Sequence, residues 1–284
     1  MKQYIIALII FISPILVQAQ NPLPYVLYTK DGKQTNFNKL IKDASKKDVV
    51  LFGEFHDNSI VHWLQLKLAQ ALVEKQAVVF GAEMFEADNQ SGLDKYLAGE
   101  VDQKGMDSLV RLWNNYKTDY KPLVDLAKNK NLDFFATNVP RRYASKVFKE
   151  GVESLDLLSD QEKVWMAPLP FPYDKNLPGY LKMMKMFEDH ANDNLPKAQA
   201  IKDATMAYFI KKNHVPNTLF LHFNGSYHSD NYEGINWYLN IYSPDLKVLT
   251  ISTVSQQDLS KLEKEHFDKA DYIIVTDMDM TKTF

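Results

Sequence analysis

Cysteine is absent from the 284 residues. There is therefore no disulfide, no thiolate metal site, no cysteine nucleophile and no acceptor for the lipid of a bacterial lipoprotein. Nucleotide and serine-hydrolase signatures are missing too: no Gly-x-Gly-x-x-Gly, no phosphate-binding loop, no Gly-x-Ser-x-Gly. Nor is there an excess of charge of one sign. Lys plus Arg total 33 against 36 Asp plus Glu, a net charge of −3, which argues against nucleic acid as a partner. Beyond the N-terminal segment no apolar run approaches the ~20 residues that a membrane-spanning helix needs.

What is present suits a folded, exported domain. Apolar residues make up 45% of the chain, ample for a core. At the N-terminus, Lys2 precedes an apolar stretch from Tyr4 to Val17, interrupted by Pro14, and Val17-Gln18-Ala19 before Gln20 has the small-residue pattern of a cleavage site. The expectation is a signal peptide over 1–19 and a single mature domain over 20–284, soluble in the periplasm or secreted, and not lipid-anchored.

Strand and helix patterns alternate along that domain. Tyr25 to Asn36 reads as a hairpin with Asp31-Gly32 at its turn. Apolar runs at 48–53, 77–83, 131–137, 218–223, 247–253 and 272–276 read as buried strands. Helical spacing covers 37–46, 59–72, 91–97, 105–116, 120–130, 141–149, 197–212 and 232–241. This alternation predicts an α/β fold, a mostly parallel sheet covered by helices on both faces. Residues 159–196 break the rhythm with prolines, aromatics and methionines. They form an insertion expected to act as a lid or interface, or else to pack a helix over 178–190 through Leu181, Met184 and Phe187.

Chemistry collects at the predicted strand ends. The pattern Gly-x-x-His occurs twice after a strand, as Gly53-Glu54-Phe55-His56 and Gly225-Ser226-Tyr227-His228. Another strand ends at Glu83, and a further one leads into Asn138, Pro140, Arg141 and Tyr143. In a parallel sheet these ends share one edge, the usual place for a site. Glu54, His56, Glu83 and His228 offer carboxylate and imidazole ligands suited to a divalent metal such as zinc or manganese. Equally, Glu54 could orient His56 as an acid or base. His222 reads as a core or supporting histidine and His62 as a helix-face residue. His190 is a reserve ligand on the insertion. Taken from the residues alone, Tyr143 is a tyrosine packing its ring and wetting its hydroxyl, although a phenolate can hold ferric haem and nearby arginines could lower its pKa.

Five motifs in order resemble a known family: Gly53-Glu54-Phe55-His56-Asp57-Asn58, Glu83-Met84-Phe85, Asn138-Val139-Pro140-Arg141-Arg142-Tyr143-Ala144, Gln199 to Ala207, and Gly225-Ser226-Tyr227-His228. Together, over about 35 to 255, they are similar to the ChaN-type haem-binding uptake proteins of the Tiki superfamily. That superfamily also holds metal-dependent proteases and erythromycin-esterase-like enzymes. The resemblance implies an α/β fold, export, and haem at a homodimer interface with iron on a tyrosine, matched here by Tyr143. Arg141 or Arg142 would face the propionates, with His56 and His228 nearby, and an outer-membrane haem receptor is a candidate partner. The superfamily's metal and catalytic positions fall on Glu54, His56, Glu83 and His228, which sustains an alternative: a metal-dependent hydrolase of peptides or esters. An adhesin or assembly factor keeping only the fold is the third expectation.

Overall fold

The computed structural model describes residues 23–186 and 192–283. The expected signal peptide, His190 and the distal end of the expected 178–190 helix lie outside the described residues.

An eight-stranded sheet forms the centre. Its strands are β1 (Val26–Thr29), β2 (Gln34–Thr35), β3 (Val49–Glu54), β4 (Val78–Glu86), β5 (Phe134–Asn138), β6 (Leu219–Gly225), β7 (Val248–Gln256) and β8 (Tyr272–Asp277). They lie side by side in the order β2-β1-β8-β7-β3-β6-β4-β5. Strands β3 to β8 pair in parallel, and only the β1–β2 hairpin at one edge runs antiparallel to its neighbours. The hairpin turns at Asp31-Gly32, where a φ of +76° suits glycine. The chain places β4 and β5 on one side of β3 and β7 and β8 on the other, so the winding reverses at β3 and β6. In parallel sheets a crevice opens at that reversal, beyond the carboxyl ends of the strands.

The helices are α1 (Phe37–Ala44), α2 (Ser59–Val73), α3 (Gln90–Leu97), α4 (Gln103–Leu109), α5 (Lys121–Lys130), α6 (Arg141–Glu150), α7 (Asp160–Lys163), α8 (Pro178–Met186), α9 (Leu195–Asn213) and α10 (Ile235–Tyr242). They cover both faces. Strand alternation decides which residue meets which layer. In β3, Val50 and Phe52 enter the layer under α1, α2, α3 and α5, whereas Val49 and Leu51 enter the layer under α6, α9 and α10. Glu54 continues the first series toward α2. In β4, Val78, Phe80 and Ala82 point into the α2 layer, which leaves Glu83 on the α9 side. The β4–β5 register then slips between Ala82 and Glu86, as strands often do beside a site.

Helix α2 starts where Asn58 caps it, its side chain accepting from Val61 N at 3.2 Å. Val61, Leu64, Leu68 and Leu72 then bury one stripe on the sheet. The same first turns aim His62 and Gln65 inward. The expected 105–116 helix is shorter: α4 ends at Leu109 and Val110 is extended. Its cause is local, because Asn89 Oδ1 accepts from Arg111 N at 2.6 Å and draws the chain away from the helix axis. The insertion packs on the body through Met166, Ala167, Phe171, Tyr180 and Met183. Leu181, expected to pack, is instead 48% exposed. Tyr180 takes the buried stripe, one position earlier, because Gly179 is anchored: its N donates to Glu233 Oε2 at 2.8 Å and its O accepts from Tyr227 at 2.7 Å.

Strand β5 is the sheet's far edge. Gln90 caps it by mimicking a neighbouring strand. Its amide donates to Phe134 O at 3.0 Å and accepts from Ala136 N at 2.6 Å. Open edges of this kind invite pairing with other chains. Gln90→Ala should cost about 1–2 kcal/mol, since two backbone groups lose their partners. The shift of the urea midpoint measures this; an unchanged midpoint would mean water replaces the amide.

Candidate functional site

The crevice beyond the carboxyl edge begins with Glu54. Its carboxylate is buried, with 1% exposure. A carboxylate is held so deep only when donors replace its water. Tyr120 donates to Oε1 at 2.6 Å, and His56 Nδ1 approaches the same oxygen at 2.8 Å. Gln65 Nε2 donates to Oε2, and His62 Nδ1 stands 3.7 Å from it. Burial, reinforced by the Glu54 charge, raises the Tyr120 pKa and keeps the phenol protonated as a donor. His56 therefore carries its proton on Nδ1, toward Glu54, and turns Nε2 away.

The main chain around His56 is clamped as well. Its carbonyl accepts from His62 Nε2 and from Asn115 Nδ2, each at 3.0 Å. Asn115 also donates to Asp119 Oδ2 at 2.8 Å. The C-terminal segment straps the following residue: Thr283 N donates to Asp57 O at 2.8 Å, Lys282 pairs with the Asp57 carboxylate, and Thr283 Oγ1 reaches Asp119 at 3.2 Å. Trp113 meets the imidazole edge-on, with ring centroids 5.0 Å apart. Burial works against protonation of His56, but Glu54 and Glu83 outweigh it and raise its pKa.

The second half of the site is a chain of charges. Glu83 Oε2 accepts from Gly225 N at 2.7 Å, and Oε1 lies 3.1 Å from His228 Nε2. His228 Nδ1 lies 2.5 Å from Asp203 Oδ1 on α9, with the Gln199 carboxamide 2.9 Å from the same nitrogen. Burial opposes a charge on His228, yet the two carboxylates win and push its pKa up to about 10. Burial likewise opposes ionisation of Glu83. The imidazolium, His56 and the Gly225 N–H overcome it and hold the carboxyl well below the usual range. For Asp203 burial prevails and its pKa rises, because it has fewer donors than Glu83. The group is an imidazolium between two carboxylates.

Gly225 joins the halves. A Cβ there would lie 2.9 Å from His56 Nε2 and Cε1 and 3.4 Å from Glu83 Oε2. The imidazole and the carboxylate thus share the space left by a missing side chain. Glu54, His56, Glu83 and His228 are all at this edge, as their sequence positions implied. They do not form a ready divalent-metal set. Both His228 nitrogens are spent on carboxylates. Among the described residues, a group of three such side chains with one ligand atom each within 4.8 Å of the others is found at Glu263, Glu265 and His266, away from this edge.

A cavity of about 610 Å³ adjoins Glu83, with Trp113, Asn138, Val139, Arg141 and Lys202 in its walls. Arg142 is turned to other work: it pairs with Asp88 at 2.6 Å, donates to Tyr143 Oη at 3.1 Å and lies over the Tyr143 ring at 4.4 Å. Tyr143 is buried in the α6–α9 layer and donates to Glu162 at 3.2 Å. Burial, more than Arg142, governs its hydroxyl and raises its pKa. None of its hydrogen bonds reaches Glu54, His56, Glu83 or His228. His222 is buried between Thr137, at 2.8 Å, and Asn224, at 3.1 Å. The sequence motifs do not single out Gln65, Tyr120, Lys202 or the role of Asp203, and His62, read as a helix-face residue, is instead buried beside Glu54. For Asp203 a signal exists: its neighbours at i−3, i+3 and i+4 on a helix are Ala200, Met206 and Ala207, so the acid shares an apolar face.

Removing the cation should expose the cost of this arrangement. His228→Gln leaves Glu83 and Asp203 buried without their counter-charge and should lower the unfolding free energy by roughly 3–5 kcal/mol. The folded pKa lies above the ordinary 6.5, so the His228 contribution is complete below about pH 6.5 and drains as pH rises through about 10. Urea denaturation of both proteins from pH 6 to 10.5 should therefore show a gap that narrows at high pH. A gap that widens there would overturn the charge assignment.

Comparison with known proteins agrees with this architecture. Among solved structures, ChaN of Campylobacter jejuni, described with cofacial haem binding, superposes with a TM-score of 0.65 at 17% identity, over 89% of this chain and 96% of that one. A Bacillus cereus protein gives 0.51 at 11% identity, over 86% and 92%. A succinoglycan biosynthesis protein gives 0.52 at 12% identity, over 87% and 92%. At such identities the likeness is one of fold. No curated protein matches the chain. The model of the family described as "Haem-binding uptake, Tiki superfamily, ChaN" matches residues 40–239, more than half of the chain, and the protein belongs to that family.

Proposed function

We propose that the protein binds haem in the crevice at the carboxyl edge, with His56 Nε2 turned toward the iron, and that it serves haem or iron uptake outside the cytoplasm. The observation that carries this reading is the Glu54–His56 pair at 2.8 Å, whose imidazole packs edge-on against Trp113 of the cavity wall. Metal-binding histidines characteristically donate their other ring N–H to a carboxylate, which fixes the ring and raises the basicity of the free nitrogen. Here Nδ1 is so engaged, while Nε2 makes no hydrogen bond among the described residues. The walls suit an amphipathic planar ligand: Trp113, Leu112 and Val139 are apolar, and Arg141 and Lys202 are cationic. At about 610 Å³ the cavity lies within the roughly 300–1,000 Å³ typical of ligand sites. When bound, haem would supply an iron able to accept such a nitrogen.

Tyr143, the ligand implied by the family resemblance, would first have to leave Glu162 and Arg142. His56 needs no such rearrangement. Export and a homodimer closing over haem belong to the proposal through the leader-like segment and the family. Among the described residues no helix is long and apolar enough to cross a membrane.

Haemin titration followed in the Soret band tests the reading. The wild type should bind saturably. His56→Ala should change the spectrum and weaken binding by roughly tenfold or more, as loss of a metal's protein partners does. Tyr143→Phe should stay close to wild type. The reverse order would return the ligand role to Tyr143, and equal binding by all three would place haem elsewhere.

A second reading rests on the same pair. An imidazole oriented by a buried carboxylate is also a general base, so hydrolysis of an ester or peptide is open to this site without a divalent metal. Ester hydrolysis that survives EDTA and is lost in His56→Ala would support it; no turnover by the wild type would remove it.

A further inference from the structure

We infer that Thr283 is a positioning residue for His56, and that the segment Asp277 to Thr283 is a releasable strap through which it acts. The segment leaves the carboxyl end of β8 and crosses the turn that follows β3. It lies beyond residues 40–239, which the family model matches, so the family likeness does not account for it. Thr283 commits both of its polar groups beside that turn. Its N–H donates to Asp57 O at 2.8 Å, and its Oγ1 donates to Asp119 Oδ2 at 3.2 Å. Lys282 forms a β-bridge with Asn58 and pairs with the Asp57 carboxylate.

Asp119 links the strap to His56. The same Oδ2 accepts from Asn115 Nδ2 at 2.8 Å, and that amide also donates to His56 O at 3.0 Å. His62 Nε2, the other donor to that carbonyl, stands 3.5 Å from Asp119 Oδ2. The two groups that hold the His56 main chain and the strap therefore meet at one oxygen of a buried carboxylate. A π-turn over Tyr116–Tyr120 brings Asp119 there, together with Tyr120, which holds Glu54. Single π-turns of this kind occur frequently at functional sites. Asn58 completes the connection. Its Oδ1 caps α2, and its Nδ2 donates to Thr276 Oγ1 at 3.0 Å, at the end of β8. Strap, cap and π-turn thus fix the carbonyls of His56 and Asp57, while Glu54 fixes the ring.

The strap itself is lightly held. None of the residues from Met278 to Thr283 is buried. The Lys282 side chain is 68% exposed, where an ion pair contributes little. A segment with so few buried contacts opens at low free energy while the body stays folded. Undocking removes one donor from Asp119 and one from Asp57 O and leaves the sheet intact. His56 then keeps Glu54 but loses support for its main chain. The strap sets how firmly the nitrogen is aimed, and Thr283, with two hydrogen bonds, is its main anchor.

The test uses the full chain and two measurements: amide hydrogen exchange without ligand, and haemin titration. Only the second rests on the haem reading. Thr283→Pro removes both donors, and Lys282, extended at its β-bridge, tolerates a following proline. Thr283→Val keeps the N–H and removes the hydroxyl, and Thr283→Ser keeps both. Thr283→Pro should speed exchange at Val61, His62 and Asp119 by about tenfold, the factor that one or two lost hydrogen bonds supply. Exchange in β3, β6 and β7 should not change, which also reports that the variant is folded. Thr283→Val should give about threefold for its one lost bond, and Thr283→Ser should match wild type. With haemin, Thr283→Pro should shift the Soret band and weaken binding by about three- to tenfold. In a His56→Ala background the same substitution should change affinity by less than about twofold, because a residue acting through His56 has nothing left to position. Unchanged exchange around residues 56–62 in Thr283→Pro would overturn the inference whether or not haem binds. So would an undiminished loss of haemin affinity in the His56→Ala background, which would place the effect of the strap elsewhere. If exchange responds as expected and the wild type binds no haemin saturably, the positioning of His56 stands and the haem reading falls.

Discussion

The site depends on a side chain that is absent. Strands β3 and β4 do not touch; β6 lies between them. By strand alternation Glu54 leaves β3 toward α2, and Glu83 leaves β4 toward α9. Two carboxylates on opposite faces of a sheet should not share a site. They do so here because β6 ends at Gly225, where His56 leans over bare backbone and Glu83 takes the N–H beneath it. The φ of Gly225 is −57°, open to any residue, so glycine is needed for its emptiness and not for its flexibility. Gly53 does the same in β3, with Ile251 O and Ser226 Cα in the space a Cβ would fill.

The charges gathered there are a poor way to make a protein stable. A buried ion pair seldom repays the cost of drying its members, and apolar replacements are often as stable or more so. Glu54, Glu83, Asp203 and His228 are each buried, and each has been given donors or a counter-charge. A fold that needed only cohesion could have used leucines. Buried, hydrogen-bonded charged groups of this kind at a sheet's carboxyl edge are what binding and catalytic sites have in common.

Much of this is legible in the sequence. Strand runs bounded by glycine and polar residues locate β3, β4, β5 and β6, and the Gly-x-x-His pair points to the edge that they share. What escapes detection is carried by helices and by partners distant in sequence. His62 reads as a helix-face residue because its spacing says only that it is near the start of α2; its hydrogen-bond partners, the His56 carbonyl and Gln65, lie around a turn whose shape no periodicity encodes. Tyr120 reaches Glu54 across 66 positions. Arg142 and Arg141 are equivalent in sequence, and what distinguishes them is the pairing of Arg142 with Asp88, 54 positions away, and its stacking on Tyr143. Leu181 reads as a member of the buried face of α8 because a short apolar stretch does not fix the phase of a helix. The anchor at Gly179 does.

The finished site is asymmetric in a way that bears on how it works. On the His56 side every group is held: ring by Glu54, carbonyl by His62 and Asn115, the next residue by the C-terminal strap. Precision there is built before any ligand arrives, so the ordering cost has been met during folding. On the α6–α9 side the reverse holds. An amide lacks a partner, and two cations lack counter-charges among the described residues. In the proposed reading, a held nitrogen on one side and an unpaired polar wall on the other would give each portion of an amphipathic ligand a different task. The wall would supply affinity and orientation, because its groups gain most from being paired. The imidazole, already in position, would contribute the directional bond. A ligand without polar groups would leave the wall unpaired, and one without a partner for the nitrogen would waste the support built behind His56.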